Sequence, residues 1–388
     1  MRCATFWLPG YGLDETLDSP DTLVMAFGHP DLTPQSVPVQ MLREAYPTSV
    51  LVGCSSSGQI VDGAIVDDGL AGVVARFEHT RLRLAHTIVV GPEDSAAAGK
   101  RLAKELCADG EDTKSLAAVV ILSDGVVVNG SELVNGLNSM LPAGVSVSGG
   151  LAGDQARFSA TWVLAGAEFG SSSVAAVGLY GNRVHTSYGS RGGWDRFGPS
   201  RIVTRSEGNK LFELDGKPAL ELYKSYLGAY ADGLPGSALL FPLSVHSPDR
   251  ATDAVRTILS VDESDQSMTF AGDIPMGSST QLMRATHDML IDGAGDAAEA
   301  CIESSSPGTG SPNTGSPNSG PQGLALAVSC VGRRLVLGER AEEEVESVTG
   351  ALGDMPLVGF YSNGELSPQD GFCDLLNQTM TLTIMAEH

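Results

Sequence analysis

The stretch VLVGCSSSGQI, residues 50–60, reads as a buried-type strand running into a glycine- and serine-rich turn. PLVGFYSNGEL, residues 356–366, repeats it. Each ends a larger unit. The first begins at the apolar strand DTLVMAFGHP (21–30), continues through the amphipathic VQMLREAY (39–46) and ends in that turn. The second runs from AAVVILSDGVVV (117–128) through GSELVNGLNSM (130–140) to GVSVSGGLAGD (144–154). The third runs from GLALAVSCVGRR (323–334) through EEEVESVTGAL (342–352) to residues 356–366. Strand, helix and second strand recur in that order. Hairpin-like strands are expected after each unit, pairing GLAGVVARF (69–77) with LRLAHTIVV (82–90) and TWVLAGAEF (161–169) with VAAVGLYG (174–181), with MTLTIMAE (380–387) closing the last. The predicted fold class is therefore α/β: mixed α/β layers built from repeated strand–helix–strand–hairpin units, helices covering sheets.

A fourth segment breaks the pattern, with SALLFPLSV (237–245), RTILSVDESDQSMTFAGDIP (256–275) and QLMRATH (281–287) as strands, and DESD supplying turn chemistry. Before it, ELDGKPALELYKSYLG (213–228) predicts a helix capped by Asp215, with Pro218 in its first turn. Leu220, Tyr223 and Leu227 fall on its buried face and Gly228 stops it. The tract SSSPGTGSPNTGSPNSGPQG (304–323) holds four prolines and no apolar anchor, and is expected to be a disordered insertion over 304–322.

Of the 388 residues, 42% are hydrophobic and 18% charged, as in a globular chain. Against 24 Lys+Arg stand 47 Asp+Glu, a formal charge of -23 that repels phosphate backbones and argues against nucleic acid as a partner. No apolar run is long enough to span a membrane, and the start lacks the charged-then-apolar pattern of a signal peptide. Six scattered cysteines without a C-x-x-C pair suit free thiols, so a cytoplasmic location is expected.

Enzyme signatures fail on inspection. There is no H-E-x-x-H and no Cys/His cluster with metal spacing. In GPEDSAAAGKR (91–101) the glycines are mis-spaced for a phosphate loop, and Arg101 stands where a hydroxyl is needed. GCSSSG (53–58) is not a nucleophile elbow, because Ser57 replaces its second glycine. Cys54 has no base nearby in sequence and reads as a packed thiol. The turns ending in Gly58, Gly150 and Gly364 either simply reverse the chain or converge on one concave binding site. Cys54, Ser55, Ser56, Tyr361, Asn363 and Glu365 are then the candidate ligand-binding residues. Arg333, Arg334, Glu365 and Asn377 either recognise a charged ligand such as an amino acid, with arginine clasping its carboxylate, or form a structural ion pair near the sheet edge; of these Arg333 joins Glu365 among the candidate ligand-binding residues.

The runs VGCSSSGQI, SGGLAGD and SEGNKLFELDGKPALELYKSYLG (206–228), followed by FPL (241–243), FAGDIPMG (270–277), SCVGRR (329–334) and VGFYSNGEL…LLNQT, resemble the FIST family nearly end to end. The resemblance implies an N-terminal FIST domain over 1–180 and a C-terminal one over 181–388, interrupted at 304–322. The N-terminus departs from it, with strand ATFWLP (4–9) where the family carries extra helix. The family implies a non-enzymatic sensor of small-molecule ligands that signals to a separate partner. GNRVHTSYGSRGGWDRFG (181–198) is similar to the haem-binding, nitric-oxide-sensing subset, which implies non-covalent haem with His185 as the metal ligand, Trp194 and Phe197 against the porphyrin, and a histidine kinase or cyclic-di-GMP enzyme as partner. His29 is the alternative ligand. The competing readings are a haem-free binder of amino acids or other small metabolites, and a cysteine- or serine-dependent enzyme.

Overall fold

The computed structural model describes residues 1–108, 115–248, 253–304, 323–369 and 371–387. Of the tract expected to be disordered over 304–322, Ser304 ends the helix His287–Ser304 and 305–322 lies outside the described residues.

The three sequence units build three six-stranded sheets of one pattern. Each has a central parallel pair: Thr22–Gly28 with Val50–Ser55, Leu116–Ser123 with Ser146–Leu151, and Leu324–Cys330 with Leu357–Ser362. The return within each pair is helical, through Val37–Ala45, Gly130–Asn138, and Val331–Leu337 with Ala341–Leu352. Two antiparallel strands flank the first member of each pair, and a short hairpin flanks the second. That hairpin always comes from another unit. Gln59–Val66 leaves the first unit and joins the third sheet at Phe360. Val163–Gly170 leaves the second and joins the first sheet at Cys54. The strands Gly364–Gln369 and Phe372–Leu376 leave the third and join the second sheet at Leu151.

This cyclic exchange corrects the expected hairpins. Leu70–Arg76 lies in the first sheet between Arg2–Leu8 and Thr22–Gly28, while Arg81–Ile88 pairs with Ser173–Tyr180 in the second. Adjacent strands in sequence thus belong to different sheets.

The inner faces of all three sheets meet in one core. Met25, Phe27 and Val52 from the first, Val120 and Leu122 from the second, and Leu326, Val358 and Phe360 from the third pack together. Phe27 and Phe360 stack with ring centroids 4.6 Å apart. Helices cover the outer faces, so the parallel strands are apolar on both sides and read as unbroken hydrophobic runs. Helices Ser95–Leu106 and Gly130–Asn138 cross where Gly99 meets the Leu133 carbonyl, a contact that a Cβ would block at 2.3 Å. The glycine of GPEDSAAAGKR is therefore a packing residue. The repeated glycines of the second parallel strands have a shared cause: a Cβ on Gly53, Gly149 or Gly359 would sit 1.8–2.2 Å from the carbonyl oxygen of Ala26, Ile121 or Ala327.

A fourth sheet, unrelated to the repeat, packs on helix Ala219–Leu227 through Leu220, Tyr223 and Leu227, as the period predicts. Gly228, at φ 57°, ends that helix. Asp215 does not cap it. Its carboxylate accepts from Ile202 N at 2.9 Å and pairs with Arg201 at 3.0 Å, because residues 210–218 form a tight hairpin before the helix starts at Ala219. The fourth sheet is tied to the body by Arg256, which donates to the Leu375 carbonyl at 3.1 Å.

Candidate functional site

Where each chain leaves one sheet for the next, the three glycine turns do converge, and they bond to one another. Gly153 N donates to Ser55 O at 3.0 Å, Ser57 N to Tyr361 O and Tyr361 N to Gly58 O at 2.9 Å, and Asn363 N to Leu151 O at 3.0 Å. The backbone N–H groups that could have faced a ligand are consumed in closing this ring. The serines are consumed too. Ser55 Oγ accepts from Trp162 N at 3.1 Å, Ser56 Oγ accepts from Gly58 N at 2.9 Å and donates to its carbonyl, and Ser57 Oγ accepts from Gln155 N at 2.8 Å. Cys54 lies in the core, where burial pushes its thiol well above the usual range. Cys54, Ser55 and Ser56 thus hold the turns and the core together, and none of them lines either of the cavities described below.

Arg333 and Tyr361 are also held inside the fold. Arg333 is fully buried; its Nε donates to Glu344 at 2.6 Å, Nη1 to the carbonyls of Gly192 and Gln378 at 2.5 and 3.3 Å, and Nη2 to that of Leu290 at 2.7 Å. Glu344 also accepts from Tyr361 Oη at 3.0 Å and Ser329 Oγ at 3.1 Å. Of the two roles open to the arginine, the structure assigns the ion pair. Arg334 is held by Asp67 at 2.7 Å.

The haem residues do not assemble. His185 is exposed near one end of the edge strand Val184–Arg191, opposite Ala386. Trp194 lies past the other end, its Nε1 donating to Gln378 O at 2.9 Å. The strand between them places these side chains roughly 20 Å apart or more. Phe197 packs into the fourth-sheet core against Phe241. His29 accepts from Asp31 N within its own loop. The structure does not bring these residues together. Among the described residues no group of three metal-ligating side chains occurs. The broad cleft beside Trp194, about 510 Å³, has Asp253 in its wall, already engaged by Arg196, Ser244 and His246.

A second cavity, about 240 Å³, lies between the turn ring and the fourth sheet. Leu239, Ile258, Leu259, Val331 and Leu335 make its walls apolar, and Phe158 comes from just beyond the second turn. Three polar side chains share the wall: Thr257, Asn363 and Asn377. Each holds an oxygen shut off from solvent and without a hydrogen-bond partner. Thr257 is 4% and Asn377 0% exposed, and no side chain or backbone group of the chain satisfies these oxygens. Of the residues singled out in the sequence as possible ligand contacts, Asn363 and Asn377 line this cavity. Glu365 lies two residues further on, fully buried, accepting from Ser362 Oγ at 2.9 Å and from Thr379 N and Oγ1 at 3.1 and 2.8 Å. Burial pushes its carboxyl up to about 7, against the pull of those donors.

Sequence reading missed Thr257, Leu239 and Leu259, which carry no local motif and reach the cavity only through docking of the fourth sheet. Asn377 did stand out, in the LLNQT run. An unpartnered hydroxyl in an apolar wall destabilises the ligand-free protein, so Thr257→Val is expected to stabilise it by about 1 kcal/mol in chemical denaturation. A loss of that size would show that the hydroxyl is satisfied.

A FIST N domain model matches residues 22–217 and a FIST C domain model residues 219–368. No curated protein matches. Among solved structures, a chorismatase is similar at 10% identity and TM-score 0.36, covering 99% of this chain and 98% of its own. A cyanuric acid hydrolase from A. caulinodans is similar at 9% identity and TM-score 0.35, covering 94% and 90%. Likeness at that level assigns no activity here. With both domain models matched in order over most of its length, the chain belongs to the FIST family.

Proposed function

We propose that this protein is a non-enzymatic sensor that binds one small ligand in the 240 Å³ cavity between the turn ring and the fourth sheet. The observation that carries this reading is the apolar enclosure with three unpartnered oxygens in its wall, a combination that a ligand's polar groups would complete. At the share of volume a water molecule takes in the liquid, about 30 Å³, there is room for roughly eight or nine non-hydrogen atoms. Membership of the FIST family supports a sensory role. Against catalysis stand the thiols of the region: Cys54 and Cys330 are both driven upward by burial, away from the reactive thiolate. The signal passes to a separate protein. Six unpaired cysteines support a cytoplasmic setting, and no helix among the described residues is long and apolar enough to cross a membrane.

The test is a filled cavity. Leu259 is 41% exposed at the rim, so Leu259→Trp is tolerated by the fold while its indole occupies ligand space. Compounds from a small-metabolite panel that raise the melting temperature of the wild type should fail to do so in this variant. Undiminished stabilisation of Leu259→Trp would place the ligand elsewhere.

A further inference from the structure

Resting on that reading, the wall chemistry narrows the ligand class. We propose that the cavity selects a compact ligand presenting N–H donors, of the amide, amidinium or ring N–H type, and turns away carboxylates and phosphates.

The polarity of the wall is fixed by what lies behind it. Asn363 Nδ2 donates to the Gly125 carbonyl at 3.2 Å, and Asn377 Nδ2 to the Leu376 carbonyl at 2.9 Å. A carbonyl can only accept, so rotating either amide by half a turn would set oxygen against oxygen. Both Oδ1 atoms therefore stay as the acceptors on the cavity side of the wall, and both are unpartnered. Thr257 Oγ1 adds a third site able to accept. Among the described residues no lysine or arginine lines the cavity. The two arginines nearest in sequence to its Val331–Gly332 wall are committed, Arg333 to Glu344 and Arg334 to Asp67. An anionic ligand would bring lone pairs against amide oxygens with no cation to offset them, inside a chain of formal charge -23. An N–H donor completes the same oxygens at no such cost.

Benzamide, benzamidinium and benzoate share one ring and differ in the group offered, and each fits the volume. Their binding to the full chain is measured by ligand-observed NMR titration, in the wild type and in Thr257→Val, Asn363→Leu and Leu259→Trp. We expect benzamide and benzamidinium to bind at least about tenfold more tightly than benzoate, to weaken by about tenfold in Thr257→Val or Asn363→Leu, and to be lost in Leu259→Trp. If all three bind alike, are lost in Leu259→Trp and are unchanged in the other two variants, the donor class is overturned while the cavity stands. If no probe gives binding that Leu259→Trp removes, the class and the cavity reading both fall. Thr257→Val keeps the shape of the threonine and loses no hydrogen bond within the chain, so its folding is not at issue even if Asn363→Leu misfolds.

Discussion

Replacing Glu344 with alanine is expected to destabilise the protein by about 3–5 kcal/mol, the range for removing one partner of a buried ion pair. The carboxylate is inaccessible, as is the guanidinium of Arg333 at 2.6 Å. Its loss strands a cation in the interior and orphans Ser329 Oγ and Tyr361 Oη as well. Arg333 joins four segments, through Glu344 and the carbonyls of Gly192, Leu290 and Gln378. Glu344→Gln retains an acceptor for the guanidinium and should cost less. The double variant Arg333→Met/Glu344→Leu should recover part of the loss, since no uncompensated charge remains. Urea titration decides it. A cost below about 1 kcal/mol for Glu344→Ala would mean that the pair is hydrated and that Arg333 is free to meet a ligand.

The second large effect is a pH dependence centred on Glu365. Its folded carboxyl is raised to about 7 from the model-compound value of 4.5, with burial the leading cause. Between those values the folded state holds a proton that the unfolded chain has released. Its contribution to stability is therefore complete below pH 4.5 and lost as pH rises through 7, about 3 kcal/mol in all. Glu365→Gln cannot ionise, so the difference in unfolding free energy between it and the wild type should change by that amount across the window. Depressed carboxyls such as Asp94 and Asp215 act with the opposite sign at lower pH and cancel in this difference. A flat difference from pH 4.5 to 7 would show that Glu365 remains ionised in the fold.

The architecture was legible where periodicity carried it. Residues 50–60 and 356–366 match because each second parallel strand runs so close to its neighbour that a glycine is required at 53 and 359, and because each then turns out of its sheet. The helix face of Leu220, Tyr223 and Leu227 was equally plain. What the pattern did not contain was the exchange of hairpins, since strand pairing across units depends on how three sheets close round one core. The site divides the same way. Asn363 follows from a turn motif. The unpartnered state of Thr257 and Asn377 is a property of packing; a structural ion pair is one of the two readings open to Arg333 in the sequence, but its partner Glu344 carries no motif that marks it. His185 and Trp194 are close in sequence, but an extended strand separates them in space.

The central claim, that the cavity beside Asn363 receives the ligand, is tested most directly by methyl-labelled NMR during titration of the protein with benzamide. The account predicts saturable shifts concentrated on Ile258, Leu259, Val331 and Leu335, which line the cavity, with Leu23 and Val52 in the central core unmoved. Shifts concentrated instead on Met283 and Met289, in the cleft beside Trp194, would contradict it.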